Sequence, residues 1–349
     1  MSRQRATAFV PGHVTAFFSA HPAERPATAG SRGAGLALTD GVTVRVSAVG
    51  TETDGSGTAD PATDGDTGPH ATDGDTGPHA TDGDTGPHAT DVDTGPHATD
   101  VDTGHRAIDG EPGTIGAVED VLAALGAAGG GSDADGVSVD VAIETDLPIG
   151  AGFGVSGAAA LGAALAANDA LDRGRSENEL VRTAHEAEVN RGTGLGDVVA
   201  QARGGVPIRV TPGAPGVGEL DGIPAAGRVE YVTFGELSTE AVLGGDTTAL
   251  SAAGETALDR LRANPRLPTL MASAREFAGE ADLLVPEVAE AIDAVAEANG
   301  GSGGAADDCG AAMAMLGRTV FALGTGLSDA GYDPDVCRID AAGARLVRD

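Results

Sequence analysis

Lysine is absent from this chain of 349 residues, so all 21 of its basic side chains are arginine. Without lysine there is no Schiff-base chemistry, no anchor for pyridoxal phosphate and no phosphate loop of the Gly-Lys-Ser/Thr type. The 53 acidic residues give a formal net charge of −32. Because nucleic-acid binding depends on neutralising phosphates with clustered basic residues, this charge argues against nucleic acid as a partner.

Aromatic residues and cysteines are also scarce. Aromatic residues make up 3% of the chain and tryptophan is absent. The two cysteines, Cys309 and Cys337, form neither a disulfide framework nor a zinc cluster, which favours a reducing interior. No apolar run approaches the roughly 18 residues of a membrane span. We therefore expect a cytoplasmic protein without a membrane partner.

The acid excess and the missing lysine indicate adaptation to molar salt, where the screening length falls to about 3 Å.

A nine-residue repeat interrupts the first third of the chain. The sequence DGDTGPHAT begins at Asp64, recurs at 73 and 82, and returns as DVDTGPHAT at 91 and in degraded form at 100, so the repeat holds five of the eight histidines. Regular Asp and His allow a metal-binding interpretation, but a stacked calcium-binding roll needs an apolar position in each period. The first three copies have none. We expect residues 51–111 to be a solvated, disordered insertion.

Outside this insertion the hydrophobic pattern alternates between the periods of strands and helices. The pattern predicts strands at 42–46, 137–143, 206–210 and 229–234, and helices at 115–128, 156–171, 177–189, 283–298 and 311–323. We interpret it as an α+β protein with an N-terminal lobe over 1–210 and a C-terminal lobe over 211–349.

A glycine-rich segment, PIGAGFGVSGAA, runs from Pro148 to Ala159 between a predicted strand and a predicted helix. Glycines allow close approach of the backbone to a ligand, and the free N–H groups at a helix start attract phosphate. Ser156 can offer its hydroxyl to a phosphate oxygen or to Mg²⁺. A dinucleotide-binding fold is disfavoured, because it would place an acid at the end of a second strand about 20 residues further on. Asp169 and Asp172 lie in or just after the predicted helix instead.

A second group of candidates lies in HEAEVNRGTGLGD, from His185 to Asp197. Phosphoryl transfer requires positioned charge, Mg²⁺ and a carboxylate that can take the hydroxyl proton. The side chains of Glu186 and Glu188 point about 200° apart around a helix, so only one of them can face a site.

These segments resemble the motifs of the kinase superfamily named for galactokinase, homoserine kinase, mevalonate kinase and phosphomevalonate kinase (GHMP). Its central motif is P-x-x-x-G-L-G-S-S-A-A. The chain matches it at Pro148, Gly152, Gly154, Ser156 and Ala158, and departs from it at Phe153, Val155 and Gly157. The stretch Pro11-Gly12-His13-Val14 is similar to the first motif, and residues 308–317 take the place of the third, to which we assign no role.

The resemblance implies a two-lobed kinase that binds ATP and a small-molecule substrate in the cleft between its lobes. It implies that the ATP phosphates are wrapped by a loop made of Pro148, Gly150, Gly152, Gly154, Ser156 and Gly157. It also implies that Ser156 and Glu188 hold Mg²⁺, with Glu186 as the rival ligand. Asp197 would orient or deprotonate the substrate alcohol, so Asp197, Glu188 and Ser156 form the expected catalytic set.

Residues 9–18, 30–35, 193–209 and 338–347 resemble the archaeal pantoate kinases in particular. This resemblance implies phosphorylation of the 4-hydroxyl of pantoate in coenzyme A biosynthesis. The substrate contacts that it implies are Ser31, His185, Arg209 and Thr239. An arginine can pair with a carboxylate through two parallel hydrogen bonds, which lysine cannot do; the alternative for Arg209 is a surface ion pair.

The sequence also leaves other functions open. The chain could be a mevalonate-type or homoserine-type kinase, or a nucleotide- or metal-sensing module whose repeat is the working part. A homodimer is compatible with all of these.

Overall fold

The computed structural model describes residues 5–49, 104–127, 137–235, 245–300 and 310–348. Their strands are β1 Arg5–His21, β2 Gly30–Ala48, β3 Arg106–Ile108, β4 Glu111–Pro112, β5 Val139–Thr145, β6 Val206–Thr211, β7 Glu219–Ile223, β8 Arg228–Thr233, β9 Ala311–Ala314, β10 Thr319–Leu323, β11 Asp335–Arg338 and β12 Arg345–Val347. Their α-helices are α1 Gly116–Ala124, α2 Val155–Ala170, α3 Glu177–Arg191, α4 Asp197–Arg203, α5 Thr248–Ala263, α6 Leu267–Glu280, α7 Pro286–Ala298 and α8 Gly326–Asp329. This arrangement confirms the predicted α+β class.

The larger sheet is built on a long antiparallel pair, β1 and β2. Its order is β12-β1-β2-β5-β3-β4, and β6 and β7 extend it from the start of β2. The alternating valines of β2 place Val44 opposite Ile143 and Val46 opposite Val141 on β5. Their buried faces pack against the alanine-rich helix α2. The packing is close, because a Cβ at Gly162 of α2 would lie 2.6 Å from Val44 Cγ2.

The second sheet is antiparallel, in the order β11-β8-β10-β9. Helices α6 and α7 contact its β9 edge, and Phe277 of α6 meets Phe17 and Phe18 of β1 with ring centroids 6.5 and 5.9 Å apart. The chain then returns to the larger sheet, where β12 pairs with β1. Residues from both ends of the sequence therefore share one hydrophobic core.

Residues 311–323 are not the helix that the sequence predicts, but the hairpin β9–β10. Alanine has a high helix propensity, yet the strand pairing of β10 with both β8 and β9 overrides it. Gly317 breaks the segment between the strands and packs against the backbone of Ala151 so closely that a Cβ there would overlap it. A helix would not allow this approach.

The insertion is shorter than predicted, because its expected end at residue 111 is wrong. Strands β3 and β4 lie within 104–112, and β3 pairs in parallel with β5. Of the repeat histidines, His105 is described and its side chain is 91% exposed. The earlier copies, and the disorder predicted for them, lie outside the described residues. The expected division between lobes at residue 210 stays a prediction.

None of the helices among the described residues is long and apolar enough to cross a membrane.

Candidate active site

The glycine-rich segment forms a loop between β5 and the start of α2. Gly150, Gly152 and Gly154 have φ angles of 81°, 90° and 65°, a region that strongly favours glycine. Gly154 is also the N-cap residue of α2, so the first N–H groups of the helix lack partners within it. The loop, which opens at Pro148, therefore presents backbone donors at a helix N-terminus, where an anion such as a phosphate is stabilised.

Side chains and backbone from distant segments hold this loop. The N–H of His13 donates to the carbonyl of Phe153 at 2.9 Å, and the amide of the buried Gln201 donates to the carbonyl of Gly154 at 2.9 Å. Gly157 faces α4, where a Cβ would come 3.0 Å from Val198 Cγ2. Close packing by α4 thus explains why glycine stands where the superfamily motif has alanine.

The β9–β10 turn, residues 315–318, supports the loop from the other side. The N–H of Met315 donates to the carbonyl of Thr15 at 2.9 Å, and the hydroxyl of Thr319 donates to the carbonyl of Ala151 at 2.8 Å. The sequence prediction of a helix here missed this contact altogether.

Ser156 and Glu188 come together beneath the loop. The Ser156 hydroxyl donates to Glu188 Oε1 at 2.6 Å, and Glu188 is 3% exposed. Burial raises the pKa of Glu188 to about 7, against the opposing effect of the hydrogen bonds from Ser156 and Thr193. Glu186 is only partly buried. The structure thus brings Glu188, and not Glu186, to Ser156.

This pair has the chemistry of a partial magnesium site. Mg²⁺ is held in proteins by one or two carboxylates together with substrate phosphates and water, not by a full protein cage. Among the described residues no group of three or more His, Cys, Asp or Glu side chains could hold a metal. A buried carboxylate whose pKa is raised by burial would be stabilised in its ionised form by a divalent cation.

Asp197 begins helix α4 and accepts two hydrogen bonds from β1. His13 Nδ1 lies 2.8 Å from Asp197 Oδ1, and the Thr15 hydroxyl donates to the same oxygen at 3.2 Å. Burial by itself would raise the pKa of Asp197, but the hydrogen bond from His13, the charge of Arg209 and the Thr15 hydrogen bond together lower it. Asp197 is therefore an ionised carboxylate at neutral pH.

His13 is fully buried, and burial lowers its pKa against the effect of Asp197. The neutral ring must carry its proton on Nδ1, because a carboxylate only accepts hydrogen bonds. In the sequence, His13 is recognisable only as part of the first motif, where the superfamily has a residue such as arginine. Its place in that motif was the one indication that it would contact a residue of the site.

Arg209 of β6 is 2% exposed, and its Nε and Nη1 atoms have no hydrogen-bond partner among the described residues. Burial lowers the pKa of Arg209, and the nearby charge of Asp197 opposes this shift. The alternative, a surface ion pair, is therefore not found in the part of the chain that the structure describes. Instead the side chain borders a cavity whose lining residues are Thr15, Phe18, Ser31, Leu195, Gly196, Asp197, Arg209 and Leu316. We call it the acid–arginine cavity.

Gly196 brings two of these side chains close together. A Cβ at Gly196 would lie 2.5 Å from Ser31 Oγ and 2.8 Å from Arg209 Nε. Glycine is required here by this close approach, so the predicted contacts Ser31 and Arg209 meet Asp197 in one place.

His185, another predicted substrate contact, does not line this cavity. The ring of the buried His185 bonds through Nε2 to the carbonyl of Ala29 at 3.0 Å, two residues before Ser31. It holds the β1–β2 connection instead of lining the cavity. Thr239 lies outside the described residues.

Comparison with known proteins agrees with this geometry. Residues 114–205 match the family model described as the GHMP kinases N terminal domain. A solved structure described as a phosphotransferase related to the CoA biosynthesis pathway is 27% identical, with a TM-score of 0.69 over 99% of each chain. A homoserine kinase structure from Cytophaga hutchinsonii shares the fold at 15% identity, with a TM-score of 0.60 over 99% of this chain and 98% of that one. Residues 114–205 are therefore similar to the N-terminal domain of the GHMP kinases, and the resemblance drawn from the motifs is confirmed.

The curated relatives narrow the class further. A pantoate kinase from Thermococcus kodakarensis is 39% identical over 183 residues, which are 51% of this chain and 57% of that protein. A pantoate kinase from Methanocaldococcus jannaschii is 31% identical over 186 residues, 53% of this chain and 64% of that protein. The matched part thus spans about three fifths of these relatives.

Proposed function

We propose that this protein is an ATP-dependent pantoate kinase, which forms 4-phosphopantoate in coenzyme A biosynthesis. The observation that carries the proposal is the acid–arginine cavity, in which a buried guanidinium with two nitrogen atoms unpartnered among the described residues lies beside an ionised carboxylate. The glycine loop approaches the same carboxylate, since a Cβ at Gly154 would lie 3.1 Å from Asp197 Cβ. The similarity to pantoate kinases supports the same substrate.

The chemistry of pantoate fits the lining of this cavity. Its carboxylate would satisfy the free Nε and Nη1 atoms of Arg209, a charge-assisted pair of the kind that guanidinium groups form best. The Ser31 hydroxyl can hydrogen-bond the 2-hydroxyl. The 4-hydroxyl would then lie at Asp197.

Asp197 acts on the hydroxyl that is phosphorylated. The hydroxyl oxygen forms a bond to the terminal phosphorus of ATP, the bond from that phosphorus to the bridging oxygen breaks, ADP leaves, and the hydroxyl proton passes to the Asp197 carboxylate. His13 and Thr15 hold this carboxylate in place and keep it ionised. Mg²⁺, held by Glu188 and Ser156, would neutralise phosphate charge.

Steady-state kinetics with pantoate, mevalonate and homoserine test the proposal. We expect turnover of pantoate that depends on ATP and Mg²⁺, with the other two alcohols much poorer. Turnover of mevalonate without turnover of pantoate would refute it. Because the net charge is −32, we place the enzyme in a cytoplasm at high salt, and the assay should cover low to molar salt.

The Ser156–Glu188 pair gives a test for magnesium. We expect Glu188→Gln and Ser156→Ala to raise the Mg²⁺ concentration needed for half-maximal activity by about 10-fold or more, because each removes one oxygen donor. The same change should appear in Mg²⁺ binding measured by calorimetry in the presence of a non-hydrolysable ATP analogue. Glu186→Gln is the matched control on the same helix and should leave both values unchanged. Equal effects of the two glutamate substitutions would remove Glu188 as the ligand.

The repeat gives a test against the sensing module. The described residues at its two ends lie side by side, since the N–H of Val49 donates to Ser138 at 2.9 Å and Gly104 packs against Val139. A short Gly-Ser linker can therefore replace residues 50–103. We expect kcat/KM for pantoate within a factor of about 3 of the full chain, because no residue of the site is removed. Extending the deletion through residue 108 should destabilise the protein, since it removes β3 from the sheet. Loss of activity in the shorter deletion alone would support a working role for the repeat.

A further inference from the structure

The β9–β10 turn brings one apolar side chain into the acid–arginine cavity. Leu316 is partly buried, packs against the hydrophobic core and lines the cavity together with Asp197 and Arg209. The proposed function has no role for it. The motif resemblance also assigns no role to this segment, residues 308–317.

The backbone at Leu316 is unusual. Its φ angle is 64°, a left-handed conformation that a leucine seldom adopts and that glycine adopts freely. The turn is held there by its neighbours, because Met315 bonds to Thr15 and Gly317 packs on the backbone of Ala151. Strained residues of this kind concentrate at functional sites, where the surrounding structure holds a side chain in a required place.

The cavity lining is divided by chemistry. Thr15, Ser31, Asp197 and Arg209 supply polar groups, and Phe18, Leu195 and Leu316 supply apolar ones. Phe18 is 3% exposed and its ring is 5.9 Å from that of Phe277, so core packing accounts for it. Leu316 lies in a turn. Unlike that of Phe18, its packing against the core does not by itself explain why its side chain reaches this cavity.

Pantoate has an apolar group in the corresponding position. Its quaternary carbon carries two methyl groups and is bonded directly to the carbon that bears the 4-hydroxyl. A side chain that shares the cavity with Asp197 is therefore placed to touch those methyl groups when the hydroxyl lies at Asp197.

We infer that Leu316 is a specificity-determining residue that packs against the quaternary carbon of the substrate and selects hydroxy acids branched beside the reacting hydroxymethyl group. This inference rests on the proposed function. It extends the site from the N-terminal motifs to the β9–β10 turn, which contacts the glycine loop and the substrate cavity together.

The test compares two substrates that differ only in the branch, pantoate and 2,4-dihydroxybutyrate. We expect Leu316→Gly and Leu316→Ala to lower kcat/KM for pantoate by about 10-fold or more, the usual range for lost contacts with methyl groups in a pocket. For 2,4-dihydroxybutyrate the value should change by less than about 3-fold, and KM for ATP should stay the same. Glycine suits the backbone at this position, so the Leu316→Gly protein should fold. Leu316→Met should restore most of the preference, because its side chain has a similar volume.

A control variant is Leu284→Ala, at a leucine that is 39% exposed between α6 and α7, and it should behave as wild type. An unchanged ratio of kcat/KM for the two substrates in Leu316→Gly would overturn the inference and leave the proposed function standing. An equal loss on both substrates, or a raised KM for ATP, would also overturn it, because the turn would then only support the glycine loop. Wild-type protein that fails to phosphorylate pantoate would overturn both.

Discussion

Replacing Asp197 by asparagine is expected to lower kcat by about 100-fold or more with little change in stability, the range for loss of a positioned proton acceptor. Asparagine has nearly the same shape and can still accept a hydrogen bond from Thr15 through its amide oxygen. It cannot take the proton of the alcohol. Because the pKa of Asp197 lies below its ordinary value, the native carboxylate is already ionised at neutral pH and gains nothing from a more alkaline assay.

Three measurements separate this effect from general damage. The Tm of Asp197→Asn should lie close to that of wild type, and KM for ATP should change little. Asp172→Asn is the matched control, because Asp172 is exposed and its left-handed backbone, with φ 51°, accepts asparagine readily. Turnover near the wild-type level in Asp197→Asn would remove this carboxylate from the mechanism.

Replacing Arg209 by alanine is expected to reduce kcat/KM for pantoate by roughly 10- to 150-fold. Charge-assisted hydrogen bonds to a substrate carboxylate contribute about 1.5 to 3 kcal/mol. Arg209→Lys keeps the charge but loses the planar pair of donors, so it should recover only part of the loss. The amide of pantoate, which has the same hydroxyl and no charge, should be nearly indifferent to all of these substitutions.

Replacing Arg209 should raise the stability of the substrate-free protein while it lowers activity. In the absence of substrate, Arg209 is a buried charge with two unpartnered nitrogen atoms, an arrangement that destabilises a folded protein. Arg209→Met should therefore raise the Tm of the substrate-free protein while it abolishes most activity, and added pantoate should stabilise wild type but not this variant.

Two other arginines differ from Arg209 in this respect. Arg191 donates to Asp120 at 2.7 Å and Arg32 pairs with Glu255, so both already have carboxylate partners. Arg191→Ala serves as the control and should leave kcat/KM nearly unchanged, because an exposed ion pair is worth little. Equal losses on pantoate and its amide in Arg209→Ala would show that Arg209 supports the fold and does not bind the carboxylate.

The parts of the site that the sequence predicted are those whose signal is local. A glycine loop between a strand and a helix is visible in consecutive residues, and Ser156 follows from its place in the first turn of α2. Helix geometry showed that only one of Glu186 and Glu188 can face the site. The motif resemblance then favoured Glu188, and the hydrogen bond to Ser156, 32 residues away, supports it.

The roles of other residues depend on distant partners. His13 and Asp197 are 184 positions apart and meet only because β1 passes beneath the start of α4. His185 was placed with the substrate by resemblance, yet its ring bonds to the backbone before Ser31. Alternation of polar and apolar residues does not report such contacts, because it records which face of an element is buried and not what covers it.

The sequence by itself determined the superfamily motifs, the α+β class and the identity of the loop and carboxylates, because periodicity and motif spacing act over a few residues. The tertiary structure decided that residues 311–323 form a hairpin instead of a helix, since strand pairing with β8 outweighs the helix propensity of alanine. It also decided that Arg209 is buried without a partner and that Leu316 reaches the same cavity. These outcomes depend on close packing between strands and turns far apart in the chain, where Gly196 lets the side chains of Ser31 and Arg209 approach its backbone and Gly317 lets the backbone of Ala151 do so.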